Sequence, residues 1–263
     1  MLDKETIEKY AKLNNIPLSS PRRLLTEYLQ SEILQILSRS KFGSKLSFLG
    51  GTCLRFVYKV ERFSEDLDFD LIVREKIDFQ ELADYFEKEL NRLGFVVDTK
   101  VKKTENIFVI FVKFAEVMKK MELSDLGDQK IKIKFEIDPN PLKSITYNSE
   151  HISSYGKSFN IITNDLPTLF AQKILAITFR PYQKGRDFYD LVWFLSQGNI
   201  EPNYKIFREK GIKITNREEL IDFLKEQAEK SDLKQAAKDV ERFLFYPEQA
   251  QWILKLPEYL ESF

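Results

Sequence analysis

Two aspartates at alternate positions of an apolar run are the part of this sequence with the clearest chemical meaning. Asp66 and Asp68 are separated and followed by apolar residues, namely Leu67, Phe69 and Leu71. Because residues i and i+2 of a strand point to the same face, we expect the apolar side chains in the core and both carboxylates on the opposite face. Carboxylates about 7 Å apart repel each other unless a divalent cation lies between them, and Mg²⁺ favours a few carboxylates together with substrate phosphates. The pattern therefore predicts a Mg²⁺ site suited to nucleotide chemistry.

A glycine turn precedes these acids. Gly50, Gly51 and Thr52 end fourteen residues before Asp66, and a short helix is predicted in between. Glycines let the backbone approach an anion closely, and a helix N-terminus offers unpaired N–H groups, so this turn is the predicted phosphate site. Each motif alone is weak, since surface strands often contain Asp-x-Asp and Gly-Gly is often only a turn. Their order and separation favour a joint nucleotide and metal site.

A third carboxylate is expected on a neighbouring strand. The segment Ile131–Asp138 alternates apolar and polar residues, so Glu136 and Asp138 share its polar face. With Asp66 and Asp68, one of them would complete a metal-binding set for two-metal phosphoryl transfer. Glu136 lies deeper in the strand and is preferred, whereas Asp138 is the alternative because it stands at the strand end before proline.

A lysine and an aspartate interrupt apolar faces in the C-terminal part of the chain. Lys173 lies at the centre of an apolar helical arc, and Asp187 lies within the arc of the next predicted helix. An unpaired buried ammonium costs several kcal/mol, roughly, so Lys173 should meet an anion. Lys173 could instead extend to solvent past its neighbours, and Asp187 could be a first-turn acid favoured by the helix dipole. The functional hypothesis is a Lys173–Asp187 pair that orients the ammonium towards a triphosphate.

Composition restricts the class of protein. The chain has 263 residues, 43% apolar and 31% charged, with 41 basic and 41 acidic side chains, which is typical of a globular protein without a global field for nucleic acid. An RNA contact would need a local patch. Lysines 100, 102 and 103 are one candidate, although charged hairpin turns are usually only solvated.

Further residue types exclude other chemistry. The single cysteine, Cys53, excludes an internal disulfide and suits a reducing compartment. The only histidine, His151, is predicted in a polar loop, which argues against zinc or histidine acid–base chemistry. No apolar run reaches the length of a membrane span and no signal peptide is apparent, so we expect a cytoplasmic protein without membrane contact.

The elements that must position these residues divide the chain near residue 165. Before it, strand patterns alternate with helices; after it, the β signals disappear and six helices are predicted. We therefore expect an α+β protein with a sheet-containing domain at 1–165 and a helical domain at 166–263. The predicted strands are 46–49, 66–73, 95–102, 107–114, 131–138 and 159–163.

Four motifs in order resemble a known family. They are GGTCLR at 50–55, RFSEDLDF at 62–69, QKILA at 172–176 and RDFYDL at 186–191. The combination is similar to the signature of the AbiEii/MenT-type nucleotidyltransferase toxins and is far more specific than any one motif. The resemblance implies a DNA polymerase beta-like nucleotidyltransferase core, with a mixed sheet and flanking helices, followed by a C-terminal helical bundle.

The resemblance also implies roles for residues and partners. It implies phosphate binding by Gly51 and Thr52, Mg²⁺ binding by Asp66 and Asp68, a triphosphate contact by Lys173, and a fourth-motif acid at Asp187. Members of the family act as toxins of toxin–antitoxin pairs, and some transfer nucleotides to the acceptor end of tRNA. A cognate antitoxin protein is the implied partner.

The expected reaction is transfer of a nucleoside monophosphate from an NTP to an acceptor hydroxyl, with RNA as the acceptor. Three alternatives stay open at this level. A protein-modifying nucleotidyltransferase would share all these residues, and a metal-dependent nuclease would share the acids without requiring Lys173 or the glycine turn. A non-catalytic nucleotide-binding module would bind nucleotide without releasing pyrophosphate.

Overall fold

The chain divides into two compact units. A computed structural model describes residues 4–73, 77–104, 106–124 and 129–262. Unit 1 comprises Met1–Lys59, Phe63–Pro141 and Ser149–Thr163, and unit 2 comprises Val60–Arg62, Leu142–Asn148 and Asn164–Phe263. The boundary predicted near residue 165 differs from this division, because it placed Val60–Arg62 and Leu142–Asn148 in the first domain and not with the C-terminal residues.

Unit 1 is built on a mixed sheet, so the expected α+β class is confirmed. Among the described residues, seven strands lie in the order β3-β4-β5-β2-β1-β7-β6. Their bounds are β1 Leu46–Leu49, β2 Leu67–Leu71, β3 Val96–Lys103, β4 Phe108–Ala115, β5 Ile131–Asp138, β6 Tyr147–Ser154 and β7 Lys157–Asn164. β2 pairs antiparallel with β1 and parallel with β5, which places the acid-bearing strands side by side near the middle of the sheet.

The apolar face of these strands forms the core of unit 1. The alternation of β5 is observed as predicted: its four apolar residues are buried and its polar residues face the other side. The ring of Phe69 stacks between two others, with centroid distances of 5.1 Å to Phe48 and 4.3 Å to Phe135. Because the stacked rings come from β1, β2 and β5, they hold the three strands in register.

Five helices accompany the sheet in the described part of unit 1. They are α1 Lys4–Leu13, α2 Pro21–Ser38, α3 Gly50–Tyr58, α4 Phe79–Arg92 and α5 Val117–Lys120. α4 is amphipathic, and Asp78 caps it by accepting hydrogen bonds from the backbone N–H groups of Gln80 and Glu81. α2 buries an apolar stripe and also several polar side chains, among them Glu27 and Gln30.

β6 and α5 were not predicted. β6 reads Tyr-Asn-Ser-Glu-His-Ile-Ser-Ser, which lacks the apolar alternation of a half-buried strand, and it lies at the edge of the sheet beside β7. His151 is therefore on a strand and not in a loop, and its ring contacts Asn160 at 2.9 Å and Ser158 at 3.0 Å. Only Ile152 and Ser154 of this strand are buried, so most of β6 is exposed on both faces and gives little hydrophobic signal in the sequence.

Unit 2 is helical in its described residues, as expected. Its α-helices are α6 Leu166–Phe179, α7 Gly185–Ser196, α8 Tyr204–Glu209, α9 Arg217–Glu229, α10 Leu233–Glu241, α11 Gln251–Leu254 and α12 Leu256–Ser262. Phe170 of α6 stacks on Phe194 of α7 with a centroid distance of 4.5 Å. No helix in the described ranges is long and apolar enough to cross a membrane.

A glycine lets α7 begin in close contact with α10. A Cβ atom at Gly185 would lie 2.0 Å from the carbonyl oxygen of Ala236 and 3.0 Å from the backbone nitrogen of Val240. The Gly185 N–H also donates to Asp239 at 3.0 Å. Only a residue without a side chain permits this backbone approach.

We therefore expect Gly185→Ala to lower the free energy of unfolding by about 1–3 kcal/mol, because the clash with α10 outweighs the better helix propensity of alanine. Urea unfolding followed by circular dichroism measures the change. Ser196→Ala, at the exposed end of the same helix, is the control and should change stability by less than about 0.5 kcal/mol. Equal stabilities of the two variants would contradict the close contact.

Candidate active site

The predicted acids of unit 1 lie on two adjacent strands. Asp66 immediately precedes β2, and Asp68 lies within it, half-buried, between the buried residues Leu67 and Phe69. In the parallel pairing of β2 and β5, Asp68 is directly opposite Glu136. Leu71 is half-buried and not in the core as expected, because β2 ends there.

The interstrand register separates the two candidates for the third carboxylate. Glu136 is the register partner of Asp68, whereas Asp138 is opposite Asp70, which is buried. Asp138 accepts a hydrogen bond of 2.8 Å from the backbone of Asn140, a local contact at the turn that ends β5. Within the described ranges, no three His, Cys, Asp or Glu side chains gather as a metal-binding group. The metal roles of Asp66, Asp68 and Glu136 stay predictions.

The glycine turn is in direct contact with the Asp68 carboxylate. Gly50 has a φ of +79°, and a Cβ atom there would lie 2.4 Å from Oδ2 of Asp68. The positive φ favours glycine at this position, and a Cβ atom there would displace the Asp68 carboxylate. Since α3 begins at Gly50, the first turn of this helix starts beside the carboxylate of β2.

Two buried side chains fix the backbone that leads into β2. The Thr52 hydroxyl, which is fully buried, donates to the carbonyl oxygen of Asp66. The Gln30 amide donates to the carbonyl oxygens of Ser64 at 3.1 Å and Glu65 at 2.9 Å. The observed contact of Thr52 is thus structural, and its phosphate role stays a prediction, as does that of Gly51.

The interior beneath α3 contains an ion pair that the motifs did not reveal. Arg55 donates to both carboxylate oxygens of Glu27, at 3.0 and 3.2 Å, and both residues are buried. The hydroxyl of Tyr155 donates to the same carboxylate at 3.2 Å, and burial followed by the charge of Glu27 raises the pKa of this phenol well above its usual value. Cys53 on α3 is fully buried, as expected, and its burial raises the pKa of the thiol, so it remains a protonated core residue.

In unit 2, Lys173 meets two carboxylates. Its Nζ lies 3.0 Å from Oδ1 of Asp187 and 2.8 Å from Oδ2 of Asp190, and the residue is 9% exposed. The predicted pair between Lys173 and Asp187 is therefore present. The ammonium does not extend to solvent, so the anion that its buried position requires is supplied by the protein itself. The triphosphate contact of Lys173 stays a prediction.

Two arginines complete the charged cluster, and neither was identified from the sequence. Arg62 is 1% exposed and forms a bidentate pair with Asp190, with distances of 2.7 and 2.6 Å. Arg180 donates from Nη1 to Oδ2 of Asp187. Arg62 and Asp190 both lie inside the family motifs at 62–69 and 186–191, and this position was the sequence signal for a role of these residues.

The cluster shifts the protonation equilibria of its members in a consistent way. Burial disfavours the charge of Lys173, but the negative charges of Asp190 and Asp187 outweigh it and raise the pKa of the ammonium. Burial likewise disfavours the charged Asp187, but Lys173 and Arg180 lower the pKa of this carboxyl. Lys173 and Asp187 are thus charged at neutral pH, and each stabilises the other.

Removing Asp190 should leave Arg62 and Lys173 as poorly compensated buried cations. We expect Asp190→Ala to lower the free energy of unfolding by about 3–5 kcal/mol, the usual cost of breaking a buried ion pair. Urea unfolding measures it. The control is Lys230→Ala, which removes a pair with Glu226 whose side chains are 61% and 56% exposed and should cost less than about 1 kcal/mol. A similar small loss for Asp190→Ala would show that the cluster is not a structural element.

The lowered pKa of Asp187 has a consequence for stability against pH. The ionised Asp187 adds to the free energy of unfolding above the pKa of an unfolded aspartate, about 3.9. This stabilisation is lost as the pH falls through the lower pKa of the folded state. We expect the difference in unfolding free energy between the wild type and Asp187→Asn to narrow by about 1 kcal/mol between about pH 6 and about pH 3. Urea unfolding at both values measures it, and a constant difference would refute the shift.

Two crystal structures from Helicobacter pylori resemble this chain in fold. JHP933 is 19% identical, with a TM-score of 0.56, over 92% of this chain and 91% of its own. A second protein, provisionally assigned as a nucleotidyltransferase, is 19% identical, with a TM-score of 0.59, over 92% of this chain and 94% of its own. The expected nucleotidyltransferase fold is confirmed. No protein with a curated description matches this chain in sequence.

A sequence-family profile identifies the chain more closely. The profile described as nucleotidyl transferase AbiEii toxin, type IV toxin–antitoxin system, matches residues 32–256. The matched range contains the glycine turn, the acids of β2 and β5, and the charged cluster of unit 2, and it confirms the family that the motifs predicted. The chain belongs to the AbiEii family of nucleotidyl transferase toxins of type IV toxin–antitoxin systems.

Proposed function

We propose that this nucleotidyltransferase transfers a nucleoside monophosphate from an NTP to a hydroxyl group of an RNA, with Mg²⁺ as cofactor. The observation that carries the proposal is the contact of the Gly50 turn with the Asp68 carboxylate, next to the register partner Glu136. An anion-binding helix start and carboxylates at one place are what a metal-bound triphosphate requires. The family assignment supports the reaction class.

The residues present suit a hard divalent cation. Asp66, Asp68 and Glu136 offer carboxylate oxygens, the ligands that Mg²⁺ prefers, and Gly50 at the start of α3 lies beside Asp68. Mg²⁺ usually completes its shell with substrate phosphates and water, so a cage of three protein carboxylates is not required. When bound, the cation would neutralise charge on the phosphates.

The chemical step balances without any further reactant. The acceptor hydroxyl oxygen forms a bond to the α-phosphorus, and the bond from that phosphorus to the oxygen bridging the β-phosphate breaks. Pyrophosphate leaves with the electron pair of the broken bond. The hydroxyl proton passes to a carboxylate near the site, for which we propose Glu136, while the N–H groups at the start of α3 bind phosphate oxygens.

The family also frames the biological role. A toxin of a type IV system implies a cognate antitoxin and a nucleotide substrate. The acceptor end of tRNA is the acceptor that we propose, because the motifs resemble toxins that modify tRNA. A hydroxyl at an RNA end also suits the reaction, since it is the nucleophile that the chemical step needs.

The test is incubation of the purified chain with each α-labelled NTP, total tRNA and Mg²⁺, followed by gel analysis. We expect labelled, lengthened tRNA, and a loss of roughly 100-fold or more in Asp68→Asn, because a group that stabilises the transition state is removed. Asp98→Asn is the control, since this acid of β3 is exposed and paired with Lys113; it should label like the wild type.

Other outcomes separate the alternatives. Shortened RNA would indicate a nuclease, and label on protein would indicate a protein-modifying enzyme. Nucleotide binding without pyrophosphate release would indicate a non-catalytic module. Full labelling by a folded Asp68→Asn protein would overturn the site assignment.

A further inference from the structure

A short exposed segment of unit 2 combines aromatic and cationic side chains. From the last residue of α6 onward, residues 179–184 read Phe-Arg-Pro-Tyr-Gln-Lys, and all six are exposed. Phe179 is 58% exposed and Tyr182 is 81% exposed. The segment contains two cations and no acid. Two aromatic rings left in water are not explained by packing within the unit, because exposed rings forgo the stabilisation that burial gives.

The segment is fixed at several points although its rings are exposed. Arg180 is paired with Asp187, and the Gln183 amide donates to the hydroxyl of Ser231 at 2.7 Å. The next residue, Gly185, is held against α10 by its hydrogen bond to Asp239. Pro181 further restricts the backbone between the two rings. The rings are therefore presented from an anchored backbone, which lowers the entropic cost of binding to them.

This combination matches the chemistry of single-stranded nucleic acid. Unpaired bases stack on exposed aromatic rings without a strong sequence preference, while neighbouring cations contact the phosphates. The whole chain has no net charge, so RNA binding must depend on a local surface of this kind. Arg180 is already paired with Asp187, so Lys184 is the residue of the segment that supplies positive charge for a phosphate.

We propose that residues 179–184 bind a single-stranded segment of the acceptor RNA, with Tyr182 and Phe179 stacking on bases and Lys184 contacting a phosphate. This inference rests on the proposed function only for the identity of the RNA as acceptor. Binding itself needs neither nucleotide nor metal, and it can be measured without the reaction.

The test is fluorescence anisotropy with a labelled single-stranded RNA of about 12 nucleotides, with EDTA and without NTP. Tyr182→Ala and Phe179→Ala should each weaken binding roughly 5- to 150-fold, the effect of losing one stacked base. Tyr182→Trp should retain binding because it keeps a stacking face. Lys184→Ala should reduce the salt dependence by about 0.7 in the log–log slope. Tyr246→Ala, another exposed aromatic of unit 2 at 40%, is the matched control and should bind like the wild type.

The outcomes distinguish this inference from the proposed function. If the wild type labels tRNA but Tyr182→Ala and Phe179→Ala bind RNA normally, the inference is wrong and the function stands. If no NTP-dependent labelling occurs but RNA binding depends on both rings, the proposed function is wrong and RNA binding by residues 179–184 is supported. If the segment instead binds a protein such as the antitoxin and the wild type does not bind RNA, the inference is overturned.

Discussion

The contact between the backbone of Gly50 and the carboxylate of Asp68 constrains the whole candidate site. The carboxylate occupies the space in which any other residue at position 50 would place its Cβ atom, and the positive φ excludes most side chains independently. The glycine turn, the start of α3 and the acid-bearing strand β2 therefore meet at this contact.

The surroundings of this contact are organised to keep it fixed. The aromatic stack through Phe69 holds β2 against its neighbours, while Thr52 and Gln30 hold the backbone just before the strand. None of these three residues needs to touch a nucleotide to matter for the reaction. A site that binds a highly charged substrate gains affinity and rate when its own groups need little reorganisation.

Unit 2 shows a different use of charge. Four buried charged side chains form ion pairs with one another, namely Lys173, Asp187, Asp190 and Arg62. The cluster is therefore an extended network, and Lys173 is not a single exposed lysine. Buried ion pairs rarely add much stability compared with apolar packing, but a partial network is very costly. Loss of any one member would therefore leave its partners as buried charges with too few counter-charges. Because Asp187 and Asp190 lie on α7, the network fixes the position of this helix through charges as well as through packing.

Much of this molecule could be predicted from local patterns. The alternation in β5, the glycine turn and the loss of strand patterns after residue 165 are short-range signals, and they indicated the α+β class, the helical C-terminal part and the acids of β2. Edge strand β6 was missed because only two of its eight residues are buried and it carries few apolar residues. Arg62 was missed because nothing in its neighbourhood in sequence shows that it pairs with Asp190, which lies more than one hundred residues later.

Local patterns indicated which residue types were available and where most of the elements lie. They favoured Glu136 over Asp138 only by its depth in the strand, because both residues share one face. Tertiary structure gave the two acids different neighbours, since register places Glu136 opposite Asp68 and Asp138 opposite the buried Asp70. It also decided that Lys173 is neutralised by carboxylates of its own unit. Register and long-range ion pairs depend on contacts between distant segments, and periodicity within one segment contains no information about them.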